Sequence, residues 1–114
     1  MSTADKQDLI HPAMGILSHA GDARLEGKKA LEAVQKQNFD QAKEHMKMAK
    51  KEITKAHQIQ TEIIQNEARG IQYDYCMLFN HAQDTLMTIN SEIELISTLI
   101  DTFEIYTHLI KEEK

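Results

Sequence analysis

The chain has 114 residues, 27% charged and 41% hydrophobic, with one Pro, four Gly and a formal net charge of -5. That length supports one domain with a modest core; the balance argues against disorder, and the absence of a basic block excludes a nucleic-acid-binding surface. No apolar run approaches a membrane span, the start MSTADKQDLI lacks a secretory pattern, and the single Cys76 permits no internal disulfide and no Cys-rich metal site, so the chain reads as a cytoplasmic protein with no membrane insertion.

From Leu9, the residues Ala13, Ile16, Ala20, Ala23, Gly27, Ala30 and Val34 recur at alternating steps of four and three, which predicts a first helix packed lengthwise on others. Pro12 belongs either to its first turn or to a kink after a short leading segment. The stretch Gln37 to Gln41 has turn character, and Asn38 with Gln41 reads as a capping-box start for a second helix. Phe39, Ala42, Met46, Ala49, Ile53, Ala56, Gln60 and Ile63 continue that helix; Ala42, Ala49 and Ala56 recur every seventh residue, which lets a neighbouring helix approach closely. Arg69-Gly70 ends it, with a cation in the last turn and a glycine able to turn left-handed.

The third helix is expected along Tyr75, Phe79, Ala82, Leu86, Ile89, Ile93, Ile96, Ile100, Phe103, Thr107 and Ile110. Short connections predict helices running antiparallel in turn. The expected fold is therefore all-α, an up-down-up three-helix bundle with residues 1–114 as a single domain. A second stripe, Leu78, Leu95, Leu99, Tyr106 and Leu109 with Thr85, Thr88 and Thr102, exceeds what one small bundle can bury. It points to a homo-oligomer packed through helix three.

Folding back at Gly70 sets Gln60 level with His81, and folding at Asn38 sets His19 level with His57. Gln60 interrupts an apolar seam, and a buried amide without a partner costs roughly 1 to 3 kcal/mol. It therefore needs a polar neighbour. His81 and Asp84 share a helix face, which suits either a carboxylate orienting an imidazole or a pair of metal ligands. No Gly-rich phosphate loop, nucleophile elbow or HExxH motif occurs, so any group-transfer chemistry falls to a histidine.

The segment HAQDTLMT, His81 to Thr88, resembles the HAQDHLMT signature of the lactose/cellobiose-type IIA proteins of the sugar phosphotransferase system. HAGDAR, His19 to Arg24, and AHQIQTEIIQNEARG, Ala56 to Gly70, are similar to that family's other signature stretches, in the same order. The resemblance implies a homotrimer of three-helix subunits. It implies that His81 accepts phosphate from the phosphohistidine of the carrier HPr and passes it to a cysteine of a IIB component, serving uptake of β-linked disaccharides of the cellobiose, lactose and chitobiose class. It also implies that Asp84 holds a divalent cation, Mg²⁺ by its oxygen chemistry, shared by three subunits. Gln83 and Gln60 are supporting candidates, Gln83 as a donor to phosphoryl oxygens. One position departs from the pattern: Thr85 stands where the family usually has a second histidine. Two other readings compete: a metal site within one subunit from His19, His57, His81 and Asp84, and a non-catalytic trimeric adaptor.

Overall fold

The computed structural model describes residues 8–113; residues 1–7 and 114, the ends of the expected single domain, lie outside them. The described regular structure is three helices: α1 (Ile10–Gln35), α2 (Phe39–Ala68) and α3 (Met77–Glu112). The expected seams become the core. Ala13, Ile16, Ala20, Ala23, Gly27 and Ala30 of α1 are buried against Ala42, Met46, Ala49, Ile53, Ala56 and Ile63 of α2. Phe79, Ala82, Leu86, Ile89, Ile93 and Ile100 of α3 fill the third side. Small side chains on α1 and α2 let their axes approach, and the bulky α3 residues supply the volume. Gly27 packs closely against α3, since a Cβ there would lie 2.9 Å from Ile93 Cδ1 and 3.1 Å from Ile96 Cδ1.

Polar contacts show how the helices run. His19 meets Glu52 and His45 meets Glu26 between α1 and α2. Lys43, Lys50 and Gln60 meet Glu104, Ser97 and Gln83 between α2 and α3. Rising numbers on one helix pair with falling numbers on the next, so successive helices are antiparallel.

Local chemistry sets the helix ends. Gln37 takes a left-handed φ of 59°, which lets its N–H and that of Asn38 reach the Val34 and Ala33 carbonyls. Asn38 then caps α2 by accepting from the Gln41 N–H at 3.1 Å, while the two side chains bond each other. Gly70 closes α2 at φ 96°, its N–H reaching Glu67 and that of Ile71 reaching Asn66. Arg69 occupies the cap position itself, so no cation sits in the last turn. Pro12 lies in the first turn of a continuous α1, where its missing N–H leaves no helical bond unmade.

Three expectations change. Tyr75 is not part of the third helix: α3 begins at Met77, and Tyr75 is 79% exposed in the connection between α2 and α3. Phe103 and Ile110 continue the seam in sequence but are 48% and 56% exposed. Phe103 lies level with Lys43 on the outer edge of the bundle, whereas for Ile110 the reason is length. α3 has 36 residues against 26 in α1 and 30 in α2, and Lys43, near the start of α2, already reaches Glu104. Beyond that level α3 outruns its partners. Of the second stripe, Leu78 and Leu99 are half-buried, whereas Leu95, Tyr106 and Leu109 are exposed. Among the described residues no helix is long and apolar enough to cross a membrane.

Candidate functional site

His81 lies near the start of α3, its backbone held by buried Phe79 and Ala82 on either side while its own side chain is exposed. At about 100° per residue, Asp84 lies roughly 60° round the helix from it on one side and Thr85 roughly 40° on the other. Asp84 is exposed and Thr85 half-buried. Among the described residues neither His81 nor Asp84 makes a hydrogen bond or ion pair. Chemically capable side chains near a helix start, left without structural partners, are available to something outside the subunit.

The same face extends along the whole helix. His81, Asp84, Thr88, Ser91, Leu95, Thr98, Thr102, Ile105 and Leu109 alternate steps of three and four and are all exposed. This line runs opposite the buried one, and after Asp84 it carries no charge. Thr98 and Thr102 turn their hydroxyls back to the carbonyls of Glu94 and Thr98 at 3.2 and 2.9 Å, so their methyl groups are left for packing. An uncharged seam of coiled-coil spacing on the outside of a bundle suits burial against another helix.

Gln60 has the partner its position requires: its Nε2 donates to Gln83 Oε1 at 3.0 Å, and both residues are half-buried. Gln83 lies roughly 160° round α3 from His81. The pair ties α2 to α3 on the far side of the helix rather than converging on the imidazole. His19 meets Glu52, with Nδ1 and Oε2 2.7 Å apart, rather than standing level with His57. His57 is half-buried on α2 beside Thr54, Gln58 and Thr61. Among the described residues no three His, Cys, Asp or Glu side chains are placed to hold a metal ion. The single-subunit metal site from His19, His57, His81 and Asp84 is therefore not formed.

Sequence reasoning missed the contact between His45 Nδ1 and Glu26 Oε2, at 2.6 Å. It mirrors His19–Glu52: each helix contributes one His and one Glu, seven residues apart. The signal was present, because a slip of α1 against α2 by one heptad would set Glu26 against Glu52 or His19 against His45. The alanine seam repeats every seventh residue and tolerates that slip; the charged pairs do not. Arg24 holds Glu92 of α3 through two bonds, Nε to Oε2 at 2.9 Å and Nη2 to Oε1 at 2.7 Å. The HAGDAR stretch thus fastens α1 to α2 through His19 and to α3 through Arg24. In the second stretch Gln60 binds Gln83, Asn66 donates to the Tyr73 hydroxyl at 2.8 Å, and Gly70 ends the helix. These bonds of the two stretches serve architecture, whereas His81 and Asp84 of HAQD have no side-chain partner among the described residues.

The bond from His19 and the cation of Lys55 hold the Glu52 carboxyl below its ordinary range, and Arg24 does the same for Glu92. A carboxylate with a depressed folded pKa adds stability above its unfolded value, and that stability is lost as pH falls through the folded value. Unfolding in urea should therefore become easier below about pH 4.5. Glu52→Gln should lose about 1 kcal/mol or less near neutral pH, since the pair is partly solvated, and show a shallower acid limb. An unchanged acid limb in the variant would remove Glu52 from this account.

Residues 11–104 match the family model for the PTS system lactose/cellobiose-specific IIA subunit. The lactose-specific EIIA component of Lacticaseibacillus casei is 34% identical over 101 residues, 89% of this chain and 90% of that one. The N,N'-diacetylchitobiose-specific EIIA component of Escherichia coli K12 is 31% identical over 100 residues, 88% and 86% of the two chains. The crystal structure of a PTS cellobiose-specific enzyme IIA from Bacillus anthracis superposes with a TM-score of 0.81 at 33% identity, covering 95% of this chain and 94% of that one.

Proposed function

The chain belongs to the lactose/cellobiose-specific IIA subunit family of the phosphotransferase system, and from that premise we propose that His81 is the residue that carries its phosphoryl group. The observation that supports this is the exposed imidazole, without a structural partner among the described residues, at the head of the HAQD segment. A IIA component is a phosphotransferase component: it relays a group and does not complete sugar phosphorylation alone. The donor is the phosphohistidine of HPr and the acceptor a cysteine of the cognate IIB. The sugar class is that of β-linked disaccharides such as lactose, cellobiose and chitobiose, and the work is done in the cytoplasm.

The transfer balances as follows. The neutral His81 ring attacks phosphorus with its nitrogen lone pair as the P–N bond to the donor breaks. The donor ring, protonated on its second nitrogen, takes that electron pair and leaves as neutral imidazole. His81 keeps the proton on its own second nitrogen, so the new phosphoimidazole is likewise protonated. A thiolate on the acceptor then attacks phosphorus, and His81 returns to neutral imidazole. The transition state is loose, so the protein chiefly positions the partners in line and solvates the equatorial oxygens.

The subunit is an up-down-up bundle that assembles as a homotrimer through the uncharged outer seam of α3. Around a threefold axis, three copies of Asp84 bring like charges together, which a shared cation relieves. One carboxylate per chain is too few to hold a divalent ion, whereas three carboxylates with water suit octahedral Mg²⁺. Equilibrium dialysis should find one Mg²⁺ per three chains and none in Asp84→Ala; binding that persists in the variant would remove Asp84 as the ligand. The relay is tested by incubating the protein with phosphoenolpyruvate, Enzyme I and HPr and recording intact mass near neutral pH. A single acid-labile phosphate is expected, and an unmodified protein beside fully phosphorylated HPr would refute the reading.

A further inference from the structure

A phosphoryl group on His81 brings a second negative charge and three oxygens to a surface where Asp84 already lies roughly 60° to one side. Repulsion from that carboxylate favours the opposite side, toward α1, where Thr85 lies one turn on and roughly 40° round. Helical side chains lean toward the N-terminus, so the Thr85 hydroxyl is carried back toward His81, with Cβ atoms about 6 Å apart at this spacing.

Like Thr61, Thr88 and Thr107, Thr85 makes no hydroxyl bond to the carbonyl four residues earlier, and of these four it alone lies one helical turn from His81. Thr54, Thr98 and Thr102 each donate to the carbonyl four residues earlier, at 3.0, 3.2 and 2.9 Å. The corresponding acceptor for Thr85 would be the carbonyl of His81, and that bond is not made; among the described residues its hydroxyl has no partner. The side chain is nevertheless half-buried, and branching at Cβ restricts its rotamers. A positioned donor with no acceptor thus stands beside the nucleophile. Gln83, the other nearby donor, is committed to Gln60 on the far side of the helix.

We propose that Thr85 donates its hydroxyl hydrogen to an oxygen of the phosphoryl group on His81, stabilising it during transfer and while it is carried. This rests on His81 being the carrier residue. A neutral donor serves here without adding a cation, so the phosphoryl group keeps its charge for the next acceptor.

The test compares wild type with Thr85→Val, which keeps the shape and removes the hydroxyl, and Thr85→Ser, which restores it. The rate of phosphoryl uptake from phospho-HPr, its dependence on donor concentration and the ³¹P resonance of the phosphorylated protein are measured, with helicity as a check on folding. A hydrogen bond to a charged group predicts uptake at saturating donor slowed about tenfold or more in Thr85→Val. The half-saturating donor concentration should be unchanged and the ³¹P resonance displaced. Thr85→Ser should stay within about threefold of wild type. Equal rates and resonances in wild type and Thr85→Val would overturn the proposal, as would equal slowing in both variants, which would indicate packing instead. Failure of the carrier reading looks different: wild type and both variants would all remain unphosphorylated.

Discussion

The His81→Ala protein is expected to take up no phosphate from phospho-HPr under conditions that phosphorylate the wild type completely. Its fold should persist, because the side chain is exposed and its removal disturbs neither Phe79 nor Ala82 in the core. Alanine is also the stronger helix former, so helicity should hold or rise slightly. Three of the other histidines are poor substitutes for physical reasons. His19 and His45 each have Nδ1 against a carboxylate, Glu52 and Glu26, which occupies a ring nitrogen and places negative charge where a phosphoryl donor would approach. His57 is half-buried on another helix and lacks the neighbours that the α3 face gives His81. Intact mass and phosphoryl transfer to IIB report the result, with His19→Ala as a control that should still be phosphorylated. An acid-labile adduct of wild-type stoichiometry on His81→Ala would move the nucleophile elsewhere and remove the central assignment.

Leu95→Glu should convert the proposed trimer to monomers. Leu95 is 61% exposed in the single subunit and stands midway along the uncharged outer line of α3. In a threefold assembly through that line, each chain would lose about 2 kcal/mol of apolar burial. Each would also bring a carboxylate into a site with no counter-charge, at a cost of several kcal/mol more. The subunit's own core runs along the opposite side of α3, through Ile89 and Ile93, so the monomer should keep its helicity. Sedimentation equilibrium is the measurement, with wild type expected at three times the chain mass and the variant at one. A variant still at the wild-type mass would place the assembly surface elsewhere. The protruding end of α3, with Phe103, Ile105, Tyr106, Leu109 and Ile110 all about half or more exposed, would be the next surface to mutate.

What the sequence determined by itself was whatever depends on residues close along the chain. A buried stripe every three to four residues marks a helix whichever neighbour covers it, so the seams from Ala13 to Ala30, Ala42 to Ile63 and Phe79 to Ile100 could be read directly. The Asn38 cap and the left-handed Gly70 are equally local, because each satisfies backbone groups a few residues away. The spacing that puts Asp84 and Thr85 on either side of His81 is likewise a property of any helix. Relations between helices were decided only by the tertiary structure, because they depend on axial offset, rotation and relative length. An axial offset of between one and two turns is invisible to periodicity, so the sequence matches His19 in height to His57 where packing gives it Glu52, and it leaves His45–Glu26 unread. The Gln60 amide announced that it needed a partner, but only the rotation of α3 shows that Gln83 meets it and thereby turns away from His81. Ile110 keeps the buried rhythm and lies exposed, because a seam is buried only where another helix is long enough to reach it.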